Sequence, residues 1–234
     1  MPRRTLFFVL VLSVAVLFTP SPGRAITFDH AMAGVDPLAR YLFYLHGQPA
    51  QKTGKQPAVS PRYGEYRQAD IVAHFEDRGL IVIDDFPLQN NANRSAAEVV
   101  RRMRALMATG VAPGNITVAG YSKGGYVALL VSSGLGDPRV GYVIMAGCGT
   151  GRNGFAFEQF LAKKRGARLK GRMLSVFAAN DMEAGSCGAA VEQATDGGLV
   201  FQEIRIRSSK GHGLFYQPLP EWITPVARWA RGEQ

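Results

Sequence analysis

Six short apolar runs punctuate this chain, and a longer polar-and-apolar stretch separates each from the next. The runs cover residues 41–45, 80–84, 115–119, 140–146, 173–178 and 199–206 and are rich in Val, Ile, Leu, Phe and Tyr. Most read as continuous apolar runs rather than alternating ones, as strands do when both faces of a sheet are covered. Helical patterns fall between and after them, at residues 66–78, 94–109, 122–133, 155–164 and 220–231, with a weaker one at 188–195. In the second, Val99, Val100, Met103, Leu106 and Met107 recur at helical spacing. Gly79 stops the first, Gly110 and Pro113 end the second, and Pro220 suits the first turn of the last. Strand–helix alternation of this kind predicts an α/β fold with a mostly parallel central sheet flanked by helices. The 234 residues suffice for one such domain and not for two. The long irregular stretch at 47–62 reads as an exposed loop, and no insertion is large enough to form a separate lid domain.

The domain begins after a leader. Arg3 and Arg4 precede an apolar run from Leu6 to Phe18, broken only by Ser13; Pro20, Ser21, Pro22 and Gly23 then break any helix. Gly23-Arg24-Ala25 supplies small residues where a signal peptidase reads. Residues 1–25 are therefore expected to be a signal peptide and residues 26–234 a single exported domain, periplasmic or secreted. The alternative is an uncleaved anchor, for which this run is short against a hydrocarbon core of roughly 30 Å. No later segment is apolar enough to span a membrane. Loss of Arg3, Arg4 and Arg24 lowers the formal charge from +9 to +6. The clusters at Arg101, Arg102 and Arg104 and at Lys163, Lys164 and Arg165 lie on helical stretches and read as solvated faces. Without zinc-finger spacing or a basic-aromatic repeat, a nucleic-acid partner is not expected. Export permits a disulfide between the two cysteines, Cys148 and Cys187, with two buried thiols as the alternative.

Gly120-Tyr121-Ser122-Lys123-Gly124 matches G-x-S-x-G. Five residues alone carry little, but a strand runs into this match and a helix runs out of it, which is the context a nucleophile elbow needs. The turn is too tight for side chains at positions 120 and 124. It exposes the hydroxyl of Ser122 and sets the Lys123 amide at the positive end of a helix.

A serine hydroxyl needs a base. The histidines are His30, His46, His74 and His212. His212 stands between glycines in a loop after the last strand and is the candidate base. His74 falls mid-helix among Val72 and Phe75, where a surface or core reading is the better one; His30 says little. The base needs an acid to orient its ring. Asp181 follows the fifth strand, with Glu183 as the nearby alternative; turn residue or helix cap are the bland readings of Asp181. The order Ser122, Asp181, His212 is the order such a nucleophile uses on a sheet of this type. An oxyanion hole takes two donors. The Lys123 amide is one, and the Gln48 amide, with Gly47 second, is the expected other. His46 then shapes the loop.

Strand–His-Gly–loop, the elbow at residues 120–125, Asn180-Asp181 after a later strand and Gly211-His212-Gly213 near the end together resemble the α/β-hydrolase family, and residues 111–125 look most like its small esterase and thioesterase branch. The resemblance covers nearly all of residues 38–231. It implies hydrolysis of a small-molecule ester, thioester or amide through an acyl-enzyme, and calls for no metal or cofactor. Lys123 stands where Gln, Met or Leu is common, and Met182-Glu183 alters the usual wording after the acid, so the substrate branch stays open. The fold implied also favours the disulfide, because it sets Cys148 past the fourth strand and Cys187 past the Asp181 loop, where a bridge would brace the acid.

Two rival readings carry different expectations. A non-catalytic envelope binding protein on the same fold would hold Ser122, Asp181 and His212 out of hydrogen-bond reach. A dinucleotide-binding oxidoreductase would use Gly149-Thr-Gly-Arg-Asn-Gly154, which matches G-x-G-x-x-G. No acidic residue closes a following strand at the distance that fingerprint needs, and these residues read as a flexible loop.

Overall fold

A computed structural model describes residues 25–47, 58–85, 89–195 and 197–233. The expected leader, apart from Ala25, and Gln48 lie outside these residues. Six parallel strands form the main sheet: β1 (Arg40–Leu45), β2 (Leu80–Ile83), β3 (Ile116–Tyr121), β4 (Gly141–Met145), β5 (Gly171–Ala178) and β6 (Leu199–Ile206). Their spatial order is β6-β5-β4-β3-β1-β2. The helices are α1 (Phe28–Ala33), α2 (Gln68–Glu76), α3 (Ala92–Ala108), α4 (Lys123–Leu135), α5 (Phe155–Ala162) and α6 (Pro220–Ala230). Every strand and helix read from the sequence is present. The weak pattern at 188–195 yields only one helical turn, Gly188–Val191.

Successive side chains on a strand point to opposite faces, and the core divides accordingly. Tyr41, Phe43 and Leu45 of β1 join Ile116 and Val118 of β3 in one cluster, with Phe28 of α1, Val99 and Met103 of α3, Val127 of α4 and Phe160 of α5. Leu42 and Tyr44 join Ala119, Tyr121, Val143 and Val176 in the other, with Phe75 of α2 and Trp222 of α6. Helices α1, α3, α4 and α5 thus cover one face, and α2 and α6 the other. Trp222 is the keystone of the second face: fully buried, it meets Phe75 and Phe215 edge-on and donates its ring N–H to Gln217 O at 2.9 Å.

The edges depart from the doubly buried expectation. Among the described residues β6 has a neighbour only at β5, and residues such as Val200 on it face solvent at 49% exposure. At the opposite edge, Ile26 bridges to Ile83 and donates its N–H to Val82 O at 3.0 Å, so the segment ahead of α1 covers part of β2.

The chain runs from β1 outward to β2, then returns to β3 on the other side of β1. In a sheet of this kind the crevice outside the strands' carboxyl ends, at such a reversal, is where ligands bind. His46 and Gly47 leave β1 there, and Ser122 leaves β3.

Candidate active site

The elbow between β3 and α4 is built from sterics. Ser122 has φ 53° and ψ −116°, one of three non-glycine residues at positive φ among those described. A Cβ on Gly120 would collide with the backbone of Gly124 and Gly125; one on Gly124 would fall on the carbonyl of Leu45. Both glycines are required because β3, β1 and the first turn of α4 approach backbone to backbone. The strained turn is held by the Ser122 N–H donating to Met145 O at 2.8 Å and by the Tyr126 N–H donating to Ser122 O at 3.0 Å.

His212 reaches this serine from a 3₁₀ segment, Gly211–Tyr216, that follows β6. Its Nε2 lies 2.9 Å from Ser122 Oγ, and its Nδ1 lies 2.9 Å from Asp181 Oδ2. The Asp181 side chain is fully buried and that of His212 is 9% exposed. The other oxygen of Asp181 accepts the backbone N–H groups of Glu183 at 2.8 Å and Ala184 at 3.2 Å. The carboxylate is thereby oriented by its own loop, with one oxygen left for the imidazole. Glu183, the alternative acid, turns elsewhere.

Tyr121 supports the histidine from below. Its hydroxyl donates to His212 O at 2.9 Å, and its ring lies 5.2 Å from the imidazole. Burial and neighbouring acidic hydroxyls and carboxylates push that phenol far up, so it remains a donor. On the other side the Tyr63 ring occupies the space a Cβ on Gly213 would need, which explains the glycine after the histidine. The buried His46 donates from Nδ1 to Gly47 O at 3.0 Å, and desolvation lowers its pKa. It shapes its loop and does not reach Ser122.

A cleft of about 280 Å³ opens beside Ser122 and His212, lined also by Lys123, Tyr126, Asn153, Phe157 and Glu183. Of the aromatic residues around it, Tyr121 and Phe215 are buried core, Phe155 is 71% exposed, and Phe157 alone of these faces the cleft. The first turn of α4 sets the Lys123 amide at the cleft, next to the carboxyl end of β1 where Gly47 is buried; Gln48, the expected second oxyanion donor, lies outside the described residues.

The Gly149–Gly154 stretch corrects one expectation. It is pinned rather than loose. Cys148–Gly149 pairs antiparallel with Ala184–Gly185, the Thr150 N–H donates to Glu183 O at 2.9 Å, and Cys148 is disulfide-bonded to Cys187 with Cα atoms 5.4 Å apart. The turn closes on itself, since a Cβ on Gly149 would meet Asn153 O. It forms a wall of the cleft and shows no open, helix-initiating glycine cradle of the dinucleotide kind.

Sequence reasoning passed over Tyr63 and Asn153. The Tyr63 hydroxyl donates to Glu183 Oε1, Asn153 Nδ2 donates to Glu183 Oε2 at 3.1 Å, and Arg62 lies 3.7 Å from the same carboxylate. A signal for Asn153 was available, because its loop leaves the carboxyl end of β4, the strand beside the one that leads to Ser122. Tyr63 had none.

A parallel sheet with a serine on the β3–α4 elbow, an acid after β5 and a histidine after β6 is the α/β-hydrolase fold, and this chain has it. Among solved structures it is similar to a dienelactone hydrolase from Anabaena variabilis, at 16% identity and TM-score 0.54, covering 83% of this chain and 87% of that one. It is also similar to SOBER1 from Arabidopsis thaliana, at 12% identity and TM-score 0.52, covering 83% and 98%, and to an esterase from Rhizomucor miehei, at 14% identity and TM-score 0.53, covering 83% and 74%. No protein-family model matches the sequence and no curated protein is similar to it.

Proposed function

We propose that this protein is an exported serine hydrolase that cleaves a carboxylic ester or thioester of a small substrate through an acyl-enzyme. The observation that carries the proposal is the continuous line Ser122 Oγ, His212 Nε2, His212 Nδ1, Asp181 Oδ2, with 2.9 Å at each contact, ending at a strained elbow beside a cleft. A serine, a base within reach and a buried acid behind the base is the arrangement that activates a hydroxyl at neutral pH. A binding protein that had merely inherited the fold has no need to keep both contacts.

In the proposed mechanism Ser122 Oγ attacks the acyl carbonyl while His212 Nε2 takes its proton. Asp181 holds the other ring N–H and stabilises the imidazolium. The Lys123 amide, with that of Gln48, stabilises the oxyanion. Collapse expels the alcohol or thiol, which takes the proton from His212. Water then repeats the sequence on the acyl-Ser122 and releases the acid. The same groups would serve a peptidase or amidase; the small cleft favours a compact substrate. Export rests on the leader pattern and on the Cys148–Cys187 bridge, a linkage that oxidising compartments allow.

The test is direct. Wild-type protein is expected to turn over p-nitrophenyl acetate and to take a fluorophosphonate label, and Ser122→Ala to lose the label and at least ~10⁴-fold in kcat. Wild-type protein that does neither sinks the hydrolase reading.

A further inference from the structure

Glu183 is a carboxylate without an assigned task in a cleft whose chemistry is otherwise complete. It lines the same cavity as Ser122 and His212, and its side chain is 30% exposed. Three segments converge to orient it. Tyr63 donates to Oε1, Asn153 donates to Oε2 at 3.1 Å, and its own N–H is fixed by Asp181 Oδ1 at 2.8 Å. Both side-chain donors are neutral, and the Arg62 guanidinium is 3.7 Å away on a side chain 68% exposed. The carboxylate thus sits in a partly buried wall with no close bidentate pair among the described residues. Burial and the Glu183 contact push the Tyr63 phenol up to about 12, so it stays a donor at working pH. Each carboxylate oxygen has capacity for a second hydrogen bond, and Glu183 lines the cleft.

We infer that Glu183 is a specificity-determining residue that accepts a hydrogen bond from a donor group on the substrate, a hydroxyl or an ammonium, so that the preferred substrates are small esters carrying such a group rather than plain aliphatic or anionic ones. This rests on the serine hydrolase reading above. Lys123 lines the same cleft. Lys123 leaves the first turn of α4 directly after Ser122, whereas Glu183 is held by Tyr63 and Asn153 in the loop that carries Asp181.

The test compares near-isosteric acetates by pH-stat. Ethylene glycol monoacetate against propyl acetate reads the hydroxyl; acetylcholine against 3,3-dimethylbutyl acetate reads positive charge without a donor; acetoxyacetate reads negative charge. Wild type is expected to favour the glycol ester over propyl acetate by about tenfold in kcat/KM, the size of one hydrogen bond to a charged group. Glu183→Gln should collapse that ratio toward unity, whatever loss the two substrates share. Tyr63→Phe, which leaves the carboxylate but frees it, should lower the same ratio in part, and serves if the first variant fails to fold. A preference for acetylcholine alone would assign simple charge attraction and overturn the donor reading. A ratio unchanged in both variants would reduce Glu183 to a brace for the acid loop and overturn it too. Wild type inert toward every ester, with no fluorophosphonate label, would instead sink the hydrolase reading and this inference with it.

Discussion

At the residue scale the costliest position is Ser122. A non-glycine residue at φ 53° and ψ −116° stores about 1–3 kcal/mol, and the turn persists because Gly120, Gly124 and the bond to Met145 O leave it no alternative. Ser122→Ala removes the hydroxyl and keeps the strain, whereas Ser122→Gly removes both. The glycine variant is expected to be more stable than the alanine variant by about 1 kcal/mol, raising Tm by about 2–4 °C, while both are inactive. Equal melting temperatures would mean the elbow is not strained. This strain explains why the elbow is legible in sequence: its glycines answer to backbone clashes a few residues away. The Tyr63–Glu183 contact answers to nothing local, since 120 residues separate its partners, and no periodicity or motif reports it. Tyr121 lies between the cases. Its place beside the serine was evident, but its bond to His212 O depends on where the last loop comes to rest.

Among the elements, the ribbon formed by Cys148–Gly149 and Ala184–Gly185 links β4 to the loop that carries Asp181. The disulfide closes 39 residues around it. In the chain-entropy account a loop of that length is worth about 4 kcal/mol against the unfolded state. Replacing both cysteines by serine is expected to lower Tm by about 10 °C. It should also lower turnover of p-nitrophenyl acetate well below the melting range, because Glu183 and Asp181 are held from the same ribbon. Differential scanning calorimetry and p-nitrophenyl acetate kinetics at 25 °C separate the two effects. If stability falls and kcat does not, the bridge braces the fold and not the acid. Strand and helix order was readable here because apolar runs and helical spacing are intrinsic to each segment. The ordering of residues 149–154 was not, because it comes from a cross-strand pair, a covalent bridge and two contacts to Glu183.

For the whole molecule, the decisive feature is how a parallel sheet with two open edges is finished. Continuous apolar runs predicted burial on both faces, and β1, β3 and β4 show it; β6 does not, because edge position is a property of the assembled sheet that no strand encodes alone. At the β2 edge the residues just past the expected cleavage point are used as cover. Ile26 pairs beside β2, and Phe28 is buried to 6% exposure with its ring 6.3 Å from Phe43 and the Arg102 guanidinium 5.1 Å above it. Removing a buried phenylalanine side chain costs about 3–5 kcal/mol, and baring a strand edge invites pairing with another chain. Phe28→Ala in a chain starting at Ile26 is therefore expected to lower Tm by about 6–12 °C. A chain starting at Val35 should lose at least as much and also aggregate on concentration, by light scattering. The folded domain would then begin at Ile26. Indistinguishable melting of the chains starting at Ile26 and at Val35 would instead place the true start of the domain at β1 and leave α1 as an appendage.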